Sequence, residues 1–205
     1  MTTVTPSETT LRLLVWDAPN IDATLAGLLG NKPTRTTRPD YEAVARWLVG
    51  RSGAVEAVEA VAFVNVPPQL ARNQQSFVHA IRSVGFGVYA RPKLKQEDDI
   101  DDALVALVAE RARSHRLADL VVATHDQALL TRVAGAAGEA VGVTQLGFEE
   151  HAVPPQQPGA PAFVDLEDVP GVFHEPLPRQ LLTRLPREGL LFPPLRPLVP
   201  AGSGG

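Results

Sequence analysis

The sequence predicts an α/β fold in which a mainly parallel, five-stranded sheet lies between two layers of helices. Five strand-like segments are separated by helix-like segments along residues 11–147, which is typical of a parallel sheet with crossover helices. Residues 11–16 and 117–123 are apolar throughout rather than alternating, as expected for strands buried on both faces. We therefore expect a three-layer α/β/α domain with right-handed crossovers.

Each predicted element is bounded by residues that start or stop it. Gly30 ends the first helix, Asp40 is suited to cap the second, and Pro67 and Pro68 close the second strand. Apolar residues recur at helical spacing in the fourth helix. The predicted strands are residues 11–16, 58–66, 85–90, 117–123 and 140–146, and the predicted helices are residues 21–29, 41–49, 69–84, 100–113 and 127–136.

The composition divides the chain into three parts. We expect residues 1–10 to form a polar, flexible leader and residues 11–150 to form the domain. Of the 19 prolines, 12 lie beyond residue 152, and this density disfavours regular helices and central strands. We expect residues 151–205 to form a mostly extended tail with a short helical turn near residues 180–185. The tail retains apolar side chains, which suit it either to pack against the domain or to dock a partner protein.

Composition also limits the class of protein. The chain has no cysteine, which excludes a disulfide framework and a zinc–thiolate site. The polar N-terminus does not resemble a secretory signal, and no apolar run is long enough to span a membrane, so we expect a cytoplasmic protein. The net charge of −4 provides no basic footprint for nucleic acid, but a metal site would neutralise part of the acid. The sequence is compatible with a homo-oligomer as well as with a monomer.

Acidic residues occur where three predicted elements meet at one edge of the sheet. Asp17 ends the first strand, Asp126 follows the fourth, and residues 97–102 form an acidic run at the start of a helix. The carboxyl ends of parallel strands are where ligands bind in such folds. Clustered carboxylates are ligands that Mg²⁺ and Mn²⁺ prefer. The candidate metal ligands are Asp17, Asp98, Asp101, Asp102 and Asp126.

These acids have a structural interpretation as well. Aspartate is favoured at helix N-caps and in the first helical turn, and Asp17 and Asn20 are suited to shape the turn after the first strand. Without a metal, however, neighbouring carboxylates repel one another and raise each other's pKa. Such a cluster lowers stability, which favours a functional reason for it.

Three segments resemble the signature segments of the NYN domain, a branch of the PIN-like nucleases: WDAPNID, EDDIDDALVALV and LVVATHDQALL. The resemblance covers residues 11–147 and implies a PIN-like sheet with the Asp17 strand near its centre. It implies Mg²⁺- or Mn²⁺-dependent endonucleolytic cleavage of RNA by an activated water molecule. The residues that match the catalytic positions of the family are Asp17, Asn20, Asp102 and Asp126.

The chain also departs from the family pattern. Many members have a further aspartate two residues after the equivalent of Asp126, where this chain has Ala128. Several members have glycine at the positions of Pro19 and His125. These differences leave a second hypothesis open, a catalytically reduced PIN-like module that binds RNA or a protein. A nucleotide-binding domain or an aspartyl phosphatase is disfavoured, because their motifs do not follow the first strand.

Basic side chains near the predicted edge are candidates for binding RNA phosphates. They occur in the loop after the first helix and just before the acidic run. His125 lies between the two polar residues that follow the fourth strand and is a candidate substrate contact. Ordinary solvated surface is the alternative for each. The candidate substrate-binding residues are Lys32, Arg35, Arg38, Lys95 and His125.

Overall fold

The computed structural model describes residues 9–95, 99–152 and 161–178. Its strands are β1 (Thr10–Asp17), β2 (Ala57–Val66), β3 (Gly87–Pro92), β4 (Arg116–Ala123), β5 (Gly142–Gly147) and β6 (Ala162–Asp165). Its α-helices are α1 (Ala18–Leu29), α2 (Tyr41–Gly50), α3 (Ala71–Ser83), α4 (Asp101–Ser114) and α5 (Gln127–Ala137). Short 3-10 helices span Pro68–Leu70, Glu149–His151 and Leu166–Asp168.

The strands form one parallel sheet in the order β3-β2-β1-β4-β5-β6. The predicted α/β class is therefore confirmed. β1 occupies the third position, and the order of strands reverses between β1 and β4. This reversal leaves a crevice at the carboxyl ends of the two strands, because their crossovers leave in opposite directions.

The prediction of five strands is wrong, because β6 adds a sixth parallel strand beside β5. β6 has only four residues and follows Pro161 in a proline-rich region, so its pattern does not distinguish it from an extended tail. Proline is tolerated beside an edge strand because fewer backbone donors are needed there. The residues after β6 bury Leu166, Val169 and Val172 in the core. Residues 1–8 of the predicted leader and the helical turn near residues 180–185 lie outside the described residues, whereas Thr10, the last residue of that leader, begins β1.

Two apolar cores lie on opposite faces of the sheet. Alternate side chains of β1 point to opposite faces, as the period of a strand requires. Leu14 and Trp16 pack in the core that contains α1, α2 and α3. Leu13 and Val15 pack in the core that contains α4 and α5. Helices therefore cover both faces, an arrangement compatible with the expected three layers.

A buried arginine joins the central strands to the end of α2. The Arg12 side chain on β1 is 2% exposed, and its Nε donates to Asp119 on β4 at 3.0 Å. Its Nη1 and Nη2 groups donate to the carbonyl oxygens of Leu48, Arg51, Ser52 and Gly53. The arginine thus satisfies backbone carbonyls that the loop after α2 would otherwise leave without partners.

The helices in the described ranges are all too short or too polar to cross a bilayer. The 14 residues of α4 measure only about 21 Å along the helix axis, compared with about 30 Å of hydrocarbon.

Candidate functional site

The candidate site lies at the carboxyl ends of β1 and β4, where the order of strands reverses. Asp17 is the last residue of β1, and Thr124, His125 and Asp126 follow β4 directly. Because Trp16 is in register with Ala123, Asp17 and Thr124 lie side by side. This is the place in an open parallel sheet where ligands bind.

Asp17 is buried, and its carboxylate is held on both oxygens. The residue is 5% exposed. Its Oδ1 accepts from the backbone N–H of Asn20 at 3.2 Å, and its Oδ2 accepts from the Thr124 hydroxyl at 3.0 Å. Burial raises the pKa of Asp17 to about 6, with a further contribution from the charges of Asp101 and Asp126, while the two hydrogen bonds act in the opposite direction. Asp17 therefore titrates close to neutral pH.

Thr124 connects the two strand-end aspartates, and sequence reasoning missed it as a site residue. Its hydroxyl donates to Asp17 and accepts from the backbone N–H of Asp126 at 3.1 Å. Its carbonyl accepts from the Gln145 side chain of β5 at 2.8 Å. Thr124 and Gln145 are both buried. The signal was present in the sequence as a small polar residue directly after an apolar strand.

Asn20 bridges two elements rather than only shaping its own turn. Its Oδ1 accepts from the backbone N–H of His125 at 2.7 Å. The first turn of α1 is thereby fixed against the segment that follows β4. Pro19 fits this turn, because proline is favoured in the first positions of a helix.

The first turn of α4 directs Asp101 and Asp102 to different surroundings. Asp101 is among the charges that raise the pKa of Asp17. Its own pKa is raised by burial and by the charges of Asp99 and Asp126, and Arg132 acts against this. The side chain of Asp102 is 86% exposed and pairs with Arg132 on α5. The geometry therefore favours Asp101 over Asp102 as the acid that shares the candidate site with Asp17. Asp98 lies outside the described residues.

Asp126 caps α5 while remaining close to the other acids. Its Oδ1 accepts from the backbone N–H of Leu129 at 2.9 Å. Its charge raises the pKa of both Asp17 and Asp101, which places the three carboxylates in one electrostatic neighbourhood. Ala128, where an acid was expected from the family pattern, is exposed on α5.

The donor chemistry of these three carboxylates fits a hard divalent cation. Mg²⁺ is usually held by one or two carboxylates together with water and substrate phosphates, rather than by a complete cage of protein ligands. In residues 9–95, 99–152 and 161–178, no three acidic or histidine side chains are arranged to hold a metal ion by themselves. Asp17 together with one neighbouring carboxylate is therefore what this cluster offers to the open form of such a site.

A further polar side chain that sequence reasoning missed lies on β2. Phe63 is in register with Asp17, so Asn65, two residues later, lies on the same face at the same edge. The Oδ1 atom of Asn65 is buried and makes no hydrogen bond with the described residues. The amide adds a polar group to the acidic edge of the sheet.

His125 is packed into the fold rather than directed at a substrate. Its ring stacks on Phe148 with centroids 5.9 Å apart, and its Nε2 accepts from the backbone N–H of Phe148 at 2.9 Å. Burial lowers the pKa of His125 to about 4, and the nearby His151 contributes in the same direction. The imidazole is therefore neutral at pH 7, which makes it a poor contact for a phosphate.

We expect Gly147→Ala to destabilise the protein by about 1–3 kcal/mol, because a Cβ atom at Gly147 would lie 2.6 Å from the His125 ring. The φ angle of Gly147 is not positive, so the backbone itself accepts alanine. Urea unfolding measures the change. Gly27→Ala in α1 is the matched control, because nothing lies within 4 Å of its Cβ position. Adding His125→Ala should relieve the cost, and equal stability of the two glycine variants would contradict the prediction.

The predicted phosphate-binding residues are placed unequally. Arg38 pairs with Asp22 at 2.9 Å and lies over the Phe77 ring, so its guanidinium is already engaged. Lys32 and Arg35 are exposed in the loop before α2. Lys95 is exposed in the loop before α4, and this loop leads directly to the acids.

Comparison with known proteins gives no assignment for the chain. No protein-family model matches it, and no curated protein matches it either. The fold and the geometry of the site are therefore the basis for any statement about function.

Proposed function

We propose that this chain is an NYN-type, PIN-like endoribonuclease that hydrolyses RNA phosphodiester bonds with the help of Mg²⁺ or Mn²⁺. The observation that carries the proposal is the placement of Asp17, Asp101 and Asp126 together at the reversal of strand order. Burying one carboxylate beside two others lowers stability. A divalent cation bridging to a phosphate would compensate for that cost.

The residues of the chain have distinct roles in this proposal. Asp17 and Asp126 would hold the cation, with Asp101 nearby in the same acidic cluster, and the cation would supply positive charge toward the phosphodiester and make a water molecule more acidic. Thr124 and the N–H of Asn20 fix the orientation of the Asp17 carboxylate. Asn65 and the exposed basic side chains contribute polar contacts for RNA.

One set of observations favours the alternative, a catalytically reduced module that binds RNA or a protein. Arg132 pairs with Asp102 and lies 3.8 Å from Asp101, so a protein cation already neutralises part of the acidic cluster. Ala128 removes a further carboxylate. In this alternative the fold binds its partner without turnover.

Calorimetric titration of the wild type and of Asp126→Asn with Mn²⁺ and Mg²⁺ distinguishes the nuclease from the catalytically reduced module. We expect wild type to bind the metal and to cleave a generic single-stranded RNA. The variant should lose both, because an amide cannot supply the second anionic ligand. Asparagine also caps helices, so the start of α5 should be retained. Asp40→Asn, at the cap of α2, is the matched control.

Each result has a definite meaning for the proposal. Metal binding and cleavage that are both lost in Asp126→Asn would support the nuclease. Metal binding without cleavage would support the reduced module. No metal binding by wild type would overturn the proposed site and leave these aspartates as helix caps.

A further inference from the structure

An exposed aromatic ring lies in line with Asp17 across the sheet. Asp17 of β1 is in register with Phe63 of β2, and Phe63 is in register with Tyr89 of β3. Residues in register on neighbouring strands present their side chains to the same face. The Tyr89 ring is held against Phe63 with centroids 5.2 Å apart, yet Tyr89 is 43% exposed. Its outer face is therefore open to a ligand.

The face around Tyr89 is uncovered in the part of the chain that the structure describes. α4 and α5 pack over the central strands on this side of the sheet, where they bury Phe63. β3 is the edge strand, and both Gly87 and Tyr89 are exposed on it. The next residue on this face, Arg91, is in register with Asn65. A tyrosine and an arginine thus stand side by side on an open strip of sheet.

The segment on and just after β3 is positively charged, although the whole chain has a net charge of −4. Residues 84–95, which include β3, contain Arg91, Lys93 and Lys95 and no Asp or Glu, and Glu97, Asp98 and Asp99 follow this segment in the sequence. The Arg91 guanidinium donates to the backbone carbonyl of Asp99, which ties it to the loop that leads into α4. Lys93 and Lys95 follow in the same loop. A positively charged flank therefore adjoins the acidic site.

We propose that Tyr89 and Arg91 form a platform on which a base of single-stranded RNA stacks beside the site. Base stacking on an aromatic ring combined with a positively charged groove is how proteins hold single strands. Two strand spacings separate β1 from β3, so the platform lies about 10 Å from the strand that carries Asp17. A short extended segment of RNA spans this distance. The inference rests on the proposed function and adds Tyr89 and Arg91 as a contact for a nucleotide beside the site.

The test is fluorescence anisotropy with a labelled, unstructured single-stranded RNA, in EDTA so that nothing is cleaved. Tyr89→Leu keeps an apolar contact with Phe63 but removes the aromatic face, and we expect it to weaken binding about tenfold or more. Tyr89→Phe keeps the ring and should bind like wild type. When the same RNA is annealed to its complement, wild type and Tyr89→Leu should bind it equally, because the bases of a duplex are already stacked on one another.

Arg46→Gln is the control for loss of one surface charge, since Arg46 lies on α2 at the opposite face and pairs with Glu42. It should leave the affinity for RNA unchanged. Unchanged single-strand binding by Tyr89→Leu would overturn the platform, and so would equal weakening for the duplex. Cleavage by wild type in Mg²⁺ is measured separately. Aromatic-dependent binding without cleavage would support the platform while removing the nuclease.

Discussion

Asp17→Asn should abolish RNA cleavage and at the same time stabilise the metal-free protein at neutral pH. Cleavage is lost because asparagine does not hold a divalent cation as a carboxylate does. Stability rises because the Asp17 carboxyl is buried near two other acids, which raises its pKa from 3.8 to about 6. Removing that charge should raise the free energy of unfolding by on the order of 2–3 kcal/mol at pH 7.

The stability difference should depend on pH in a defined direction. The folded state binds the proton of Asp17 more tightly than the unfolded state, so the contribution of this group to stability falls as pH rises from about 4 to about 6. Below pH 4 the carboxyl is protonated in both states, and wild type should approach the variant. Urea unfolding in EDTA between pH 4 and pH 8 measures this difference.

Asp40→Asn provides the control, because Asp40 also caps a helix, with its Oδ1 accepting from Glu42 at 2.8 Å. Asparagine caps about as well as aspartate, so this variant should change stability little and leave cleavage unaltered. A stability difference for Asp17→Asn that stays constant across the pH range would contradict the electrostatic explanation. Undiminished cleavage by Asp17→Asn would remove Asp17 from the site.

Arg12→Met should destabilise the protein by about 1–3 kcal/mol. The Arg12 guanidinium is buried and donates to Asp119 and to four backbone carbonyls between Leu48 and Gly53. Methionine fills a similar volume but donates no hydrogen bond, so the carbonyls lose this donor and Asp119 keeps Arg51 as its partner. Chemical unfolding, with circular dichroism as the signal, measures the loss.

Arg46→Met is the matched control for this change. Arg46 makes an exposed pair with Glu42 one turn earlier on α2, and such pairs contribute only a few tenths of a kcal/mol. Arg12→Lys should lie between the two, because an ammonium group cannot reach five acceptors at once. Equal stability of Arg12→Met and Arg46→Met would show that the buried network contributes little.

Local sequence determined most of the secondary structure. Apolar runs such as the one before Asp17 mark the central strands, and residues such as Asp40 and Gly30 mark helix ends. These signals act within a few residues, so they can be interpreted without knowing the fold. β6 was not predicted, because it forms by pairing with the open edge of β5 and has no distinctive sequence pattern.

The sequence also predicted that Asp17 and Asp126 lie at one edge of the sheet, because the carboxyl ends of parallel strands meet there. The sequence favoured Asp102 over Asp101 as the catalytic residue, whereas the structure places Asp101 beside the other acids. Adjacent residues on a helix point about 100° apart, and the start of a helix cannot be fixed from sequence to a single residue. Only the packing of α4 against α5 brings Arg132 to Asp102 and leaves Asp101 beside the other acids.

The sequence by itself determined the α/β class, the order of most elements and the strand-end aspartates, because these depend on local patterns and on the geometry of parallel strands. The tertiary structure alone decided the partners of Arg12, the hydroxyl of Thr124 between two carboxylates, and the alignment of Tyr89 with Asp17. Each of these contacts joins residues far apart in the chain. Their distances depend on strand order and register, which long-range packing sets.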